Sequence, residues 1–299
     1  MQQDQITGYS EKLQIEKRYV TVTTKETLLE MVEAIEEASR ISLDTETTSL
    51  NPRKGKIIGF SITTKIGTGF YLPTLKWNNY TQKLEELLIE GKSTHNIAVR
   101  VMKMLKGKKL ICHNASFDLR YIKNYYGVSL IEDLWVDTAL LVHTVQEEGA
   151  GMGVFGLKPL AVSIQEHIGL NVEEAANKEQ VELKESIKKN GGSTTKDSFE
   201  IYKADMEILS KYAAADTDLT LRICNYFLTK LKEEKLEKFF FEEEVMPLYK
   251  EVTVPMEELG VDLDIPLLEK TREEISIDLE KNRRIVINSI LSTAEAKEW

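Results

Sequence analysis

An acidic pair two residues apart, Asp44 and Glu46, interrupts a stretch that otherwise reads as a buried strand, and no other feature constrains the chain as strongly. In RISLDTETTSL, Ile41 and Leu43 alternate with Ser42 and Asp44, the period of a half-buried strand. Side chains at i and i+2 leave a strand on one face, so Asp44 and Glu46 project together. Two carboxylates side by side repel unless a cation lies between them, and hard oxygen ligands of this kind suit Mg²⁺ or Mn²⁺. Taken alone, the pair also fits a solvated strand end.

Two further segments carry matching chemistry. The apolar run LIC reads as a strand, His113 and Asn114 open a turn, and FDLRYIKNYYG then shows helical spacing with Phe117 and Asp118 in its first turns. Asp118 thus stands near a strand end beside an early helix turn, a usual place for site residues in α/β domains. The helix dipole, worth about 0.3–1 kcal/mol to an acidic residue there, explains a single Asp equally well. The third segment, ADMEILSKYAAADTDLTLRICNYFLTKL, is a long amphipathic pattern of strong helix formers. Tyr212 and Asp216, four positions apart, share a face about one turn apart. A phenol so placed can orient a metal-activated water; a Tyr and an Asp on a solvated face have the same spacing. Asp218 faces another direction and falls outside the set.

DTETTSL, HNASFDLRYI and YAAADTDLTLR, in that order, resemble the proofreading 3′→5′ exonuclease domain of family A DNA polymerases, the bacterial and phage polymerase I type. The resemblance spans about residues 18–232 and continues beyond them. It implies an α/β, ribonuclease-H-like exonuclease fold of the DEDD group, with a mixed β-sheet flanked by helices and a C-terminal helical segment. It further implies two divalent metal ions: Asp44 bridges both, Glu46 and Asp216 complete the first site, and Asp118 holds the second through water. Tyr212 then aims the water at the terminal phosphorus, and the second metal stabilises the leaving 3′-oxygen. The products implied are 5′-nucleoside monophosphates. A histidine-type relative carries His five residues before the last Asp, where this chain has Lys211; Tyr212 marks the tyrosine subclass. Leu50 is expected against the last base and Asn114 near the terminal nucleotide, with Thr47 and Phe117 counted among the substrate-binding residues. An ordinary core position would explain Leu50 as well. His113 is expected in a hydrogen-bonded structural role.

Bulk properties describe an ordinary globular chain with one complication. The 39 basic and 49 acidic residues give a net charge of −10, which argues against a broad, non-specific duplex-binding face. A site for a few terminal nucleotides is still compatible, because its metals supply local positive charge. Arg53, Lys54, Lys56, Arg120 and Lys123 are candidate strand contacts, or simply solvated charges. Cys112 and Cys224 lie in apolar segments without metal spacing and are expected to be reduced core residues. No run approaches the roughly 20 apolar residues of a membrane span, and MQQDQITGYSEKLQ lacks signal-peptide regions, so a cytosolic location is expected.

Along the chain, residues 1–17 read as a polar lead-in, 18–232 as the exonuclease domain and 233–299 as the helical start of a polymerase thumb-side region. Helices are expected at about 25–39 (capped by Thr23 or Thr24), 80–90, 96–106, 115–126, 137–146 and 157–168. KIIGFSITT and GTGFYLP read as a hairpin, which makes the sheet mixed. GLNVEEAANKEQVELKESIKKNGGSTTKDSFEIYKAD reads as a solvated helix and an exposed insertion that could flank a single-strand channel. Gly260 should end one helix and Asp264 cap the next, a long one whose Ile275, Leu279, Ile285, Ile287, Ile290 and Leu291 exceed what it can bury alone. A fragment, a split polymerase whose remainder docks here, or a free-standing exonuclease all fit that tail. The expected substrate is a single-stranded DNA 3′ end. An RNase D-like exoribonuclease shares the tyrosine-type site, and an inactive domain of a polymerase is the non-enzymatic alternative.

Overall fold

The computed structural model describes residues 17–146, 155–168, 172–196 and 198–292, so nearly all of the lead-in expected over 1–17 lies outside the described residues. Arg18–Thr21 forms strand β1, and Thr24 then caps helix α1, Lys25–Glu37. The Thr24 hydroxyl accepts from the Thr27 amide while the Thr27 hydroxyl accepts from that of Thr24, satisfying two donors of the helix start reciprocally. Strand β2, Arg40–Thr47, runs past Asp44 and includes the whole acidic motif. Strands β3, Ile57–Thr63, and β4, Thr68–Pro73, form the expected hairpin.

The helix expected over 80–90 is replaced by two small hairpins. Leu75–Asn78 (β5) pairs with Lys83–Glu86 (β6), and Leu88–Ile89 (β7) with Lys92–Ser93 (β8). The cause is local: Asn78 Oδ1 accepts from the Tyr80 amide at 2.8 Å and the Thr81 amide at 3.2 Å, a side-chain turn that reverses the chain before a helix can start. Asn78 Nδ2 and the Thr81 hydroxyl both donate to the Glu85 carboxylate, and Gln82 takes a left-handed φ of 53°. These local side-chain bonds outweigh the helix propensity of QKLEELL.

Helix α2, Thr94–Met104, leads to strand β9, Lys109–Cys112, then α3, Ala115–Tyr126, strand β10, Leu134–Asp137, and α4, Thr138–Val145. The helix expected over 157–168 is broken at Ile164 into α5, Leu157–Ser163, and α6, Gln165–Ile168. The charged stretch that follows forms α7, Val172–Lys189, and a short hairpin of β11, Thr194–Thr195, with β12, Ser198–Phe199. The third motif lies in a 28-residue helix, α8, Met206–Glu233. Beyond it, π-helical turns at Phe239–Glu243 and Tyr249–Thr253 alternate with α9, Val245–Leu248, and α10, Val254–Leu259.

The main sheet is mixed, as expected, with the order β1-β4-β3-β2-β9-β10. Strand β3 alone runs against the other five, since β1 is parallel to β4 and β2 is parallel to β9, itself parallel to β10. Helix α8 crosses this sheet at close quarters. A Cβ on Gly69 would stand 2.9 Å from the Ala214 Cβ and 3.0 Å from its carbonyl oxygen, so a glycine permits the approach. Ser61 Oγ donates to the Ala213 carbonyl at 2.9 Å, and the Thr63 and Thr217 hydroxyls bond at 2.9 Å, as do those of Thr21 and Ser210 at 2.6 Å. Asp218 accepts from the Gly67 amide at 2.8 Å, from the Tyr19 hydroxyl at 3.0 Å and from Arg222 Nε at 3.1 Å. These bonds fix the rotation and height of α8 over the sheet, and they show Asp218 to be a buried anchor of the helix.

The chain divides into two compact units, one through Val254 and one from Pro255 onward. The first therefore includes residues after the third motif, with Phe240 and Met246 in its core. The second contains helix α11, Ile265–Leu291, whose first turn Asp264 caps by accepting from the Leu267 amide at 3.0 Å. Gly260, at φ 74°, ends the preceding helix. Ile275, Leu279, Ile285 and Ile287 of α11 are exposed. Among the described residues no helix is long and apolar enough to cross a membrane.

Candidate active site

Strand β2 and helices α3 and α8 bring the four carboxylates together. Asp44 stands opposite Ser61 and Glu46 opposite Gly59 in the β2–β3 register, which slips immediately after Glu46. Gly59 leaves no room for a side chain, because a Cβ there would lie 2.3 Å from the Tyr71 hydroxyl oxygen. Asp118, in the first turn of α3, is held against β2 by the Thr45 amide at 2.9 Å and the Thr45 hydroxyl at 2.5 Å, both donating to Oδ1. Asp216 and Tyr212 come from α8, where Asp216 is buried and Tyr212 half-buried. The solvated-face alternative for this pair is thereby excluded.

The electrostatics record the convergence. Burial raises the Asp44 carboxyl well above the carboxylate range, and the charges of Asp118, Glu46 and Asp216 add to the effect. Asp44 retains more surface accessibility than the other three, yet it is densely surrounded, so lost hydration still dominates. Glu46 is pushed up to about 8, by burial first and by Asp216 next. Burial also lifts Asp118 to about 7, against the opposing hydrogen bonds from Thr45. Asp216 is raised by burial, with Lys158 pulling the other way. Burial and the same acids keep the Tyr212 phenol protonated far beyond neutral pH. Four carboxyl groups that resist ionisation together are a cation site in chemical character.

Among the described residues, no three His, Cys, Asp or Glu side chains converge closely enough to hold a metal ion as they stand. Helix α5 places a cation of the chain's own beside them. Lys158 Nζ sits 3.2 Å from Asp216 Oδ1 and 3.3 Å from the centroid of the Tyr212 ring, with its side chain only 11% exposed. The contact is an ion pair in which Lys158, as charge and donor, and the Tyr212 hydroxyl both favour the Asp216 carboxylate, although the Nζ–Oδ1 alignment is poor among the described residues. A buried carboxylate oxygen that already faces a cation, set among hard oxygen donors, fits a divalent ion. Nothing in FGLKPLA distinguishes this lysine in sequence from a solvated charge.

Sequence reasoning also missed the supports. Asp137, at the end of β10, accepts from the amides of Asn114 at 3.1 Å, Ala115 at 2.7 Å and Ala139 at 2.9 Å, and from the Tyr249 hydroxyl at 3.0 Å. The Tyr249 hydroxyl also accepts from the Ser116 amide at 2.9 Å. Asp137 therefore shapes the turn that launches α3 and aims Asp118. Asp137→Ala is expected to destabilise the protein by about 3–4 kcal/mol, because buried amides lose a charged acceptor. Urea unfolding checks this; a change under about 1 kcal/mol would show that water replaces the carboxylate.

The remaining expected residues divide. Leu50 is 86% exposed, so a core position does not explain it. Its loop is tied to α3 by the Tyr121 hydroxyl, which donates to the carbonyls of Ser49 and Asn51. Asn114 is exposed at φ 64°, ahead of α3. The Thr47 hydroxyl donates to the Ser49 carbonyl at 3.0 Å, stiffening the same loop. Phe117 packs on Tyr121 with ring centroids 5.0 Å apart and against the core. His113 Nδ1 bonds the Thr138 hydroxyl at 2.8 Å, the structural role expected of it. Lys54, Lys56 and Lys123 are exposed, and Cys112 and Cys224 are free, buried thiols.

Comparison with known proteins places this architecture. A family profile described as 3′-5′ exonuclease matches residues 19–232. The chain is 30% identical to DNA polymerase I of Borreliella burgdorferi over 276 residues, covering 91% of this chain and 26% of that protein. It is 25% identical to the DNA polymerase of Escherichia phage T5 over 256 residues, or 81% of this chain and 26% of that one. The chain thus spans about a quarter of the length of these relatives. In fold it is similar to the Pol1 structure from M. smegmatis, with a TM-score of 0.55 at 14% identity, over 88% of this chain and 36% of that one. Escherichia coli RNase D is similar at a TM-score of 0.51 and 15% identity, over 82% and 52% of the two chains. The mixed sheet flanked by helices is accordingly a ribonuclease-H-like exonuclease fold, and the chain belongs to the 3′-5′ exonuclease family found in family A DNA polymerases.

Proposed function

We propose that this chain is a metal-dependent 3′→5′ exonuclease that trims DNA 3′ ends, releasing 5′-nucleoside monophosphates, as the proofreading part of a polymerase. The observation that carries the reading is the convergence of Asp44, Glu46, Asp118 and Asp216 beside Tyr212. Asp44, Glu46 and Asp216 would hold one divalent ion, and Asp118, with Asp44, a second. Such ions, when bound, supply an activated water and neutralise charge on the leaving oxygen.

The chain's own groups do the rest. Tyr212 keeps its proton at neutral pH and so acts as a hydrogen-bond donor that orients water, not as a base. Leu50 offers an exposed apolar side chain to the last base, and Asn114 stands exposed near the terminal nucleotide, with Thr47 and Phe117 stiffening the loop and helix that carry them. The proposed partners are a single-stranded DNA 3′ end and the remaining polymerase region, in the same or a separate chain. The domain boundaries proposed are 18–232 for the exonuclease and 233–299 for the start of the polymerase part.

The test is digestion of 5′-labelled single-stranded DNA beside the matching RNA, with Mg²⁺ or Mn²⁺ and with EDTA. A ladder that shortens from the 3′ end of DNA and disappears with EDTA is expected. Shortening of RNA alone would replace this reading with an RNase D-like one, and no shortening of either would favour an inactive domain.

A further inference from the structure

We propose that Lys158 is a resident counter-cation of the metal-free cluster, one that must leave Asp216 before a divalent ion can enter; this rests on reading the carboxylates as metal ligands. Its buried ammonium is paired with Asp216 at 3.2 Å and, among the described residues, has no well-aligned hydrogen bond, although a hydrated lysine donates three. Such a placement is unfavourable unless the surrounding negative potential holds it. That potential is present: Lys158 opposes the upward shifts of Asp44, Glu46, Asp216 and Glu179 alike, so its charge reaches all four. The Tyr212 ring face closes the other side of the pocket.

A divalent ion bound by Asp216 would need the oxygen that Nζ now faces and would repel the ammonium directly. Lysine is suited to yield, since its four-carbon stem can swing the charge outward while the backbone of α5 stays in place. Loading the site with metal and releasing Lys158 are therefore one coupled event. The coupling explains why the carboxylates lie together without uncompensated repulsion.

The experiment uses the full chain without nucleic acid and titrates Mn²⁺ alone by calorimetry into the wild type, Lys158→Met and Lys158→Arg. Removing the competing charge is expected to tighten Mn²⁺ binding about tenfold, equivalent to roughly 1.4 kcal/mol, and to lower the melting temperature in EDTA. Lys158→Arg keeps a cation able to fork onto the carboxylate and should bind Mn²⁺ no more tightly than the wild type. Equal or weaker Mn²⁺ binding by Lys158→Met overturns the counter-cation role alone; no binding by the wild type or Lys158→Met removes the metal-ligand reading with it. If Lys158→Met does not fold, wild-type labelling with an amine-reactive acylating reagent decides. Modification of Lys158, read by mass spectrometry, should rise severalfold on exchanging EDTA for Mn²⁺, and equal modification in both overturns the inference.

Discussion

Replacing Asp44 by asparagine is expected to reduce 3′-end cleavage by at least roughly a thousandfold while making the metal-free protein more stable. The two effects have one cause. Asp44 is the carboxylate on which the other three act together, raised by burial and then by Asp118, Glu46 and Asp216. Its ionised form is therefore a liability for folding and an asset only when a cation is present. Asparagine keeps the shape, removes the charge and weakens the position as a proposed metal ligand. A gain of about 1 kcal/mol corresponds to roughly 2–4 °C in the melting temperature of a chain of this size. Cleavage assays and thermal melts in EDTA check both halves. A variant that is inactive and also less stable would assign Asp44 a structural role instead.

The metal-free protein is also expected to lose stability as pH rises, against the common pattern for carboxylates. Burial raises Glu46 to about 8 and Asp118 to about 7 in the folded state, while unfolded carboxyl groups titrate near 4. The folded state thus binds more protons than the unfolded one between those limits. The stabilisation is complete below about pH 4 and is lost as pH rises through about 7 and 8. In EDTA the melting temperature should fall by several degrees from about pH 6 to about pH 9. Saturating Mg²⁺ or Mn²⁺ should flatten that slope, because a bound cation favours the ionised groups. Glu46→Gln should remove a large share of it. A flat profile in EDTA would mean that the cluster is hydrated and that the folded carboxyls titrate normally.

The acidic constellation was legible because each of its parts obeys a local rule. Asp44 and Glu46 share a strand face at a spacing of two, Tyr212 and Asp216 share a helix face at a spacing of four, and Asp118 follows a strand, a turn and a helix start. What local rules cannot supply is the distant partner. Lys158 acquires its role only because α5 lays it over Tyr212, and Asp137 because β10 ends where α3 begins. The hairpins at 75–93 were hidden for a different reason. KLEELL has good helix formers, and the deciding bonds come from the side chain of Asn78, upstream of the segment itself. Leu50 shows the converse, an apolar residue whose exposure no periodicity could reveal.

The way α8 is keyed to the sheet bears on when the site comes into being. Thr45 reaches Asp118 across 73 residues, and Ser61 reaches Ala213 across 152. Contacts of such separation are entropically costly to close and form late in folding. Strand β2 can present its acids early, but without α8 they face neither Asp216 nor Tyr212. During synthesis the growing chain thus carries the acidic cluster in separate parts, and the four carboxylates meet only once α8 seats over Gly69.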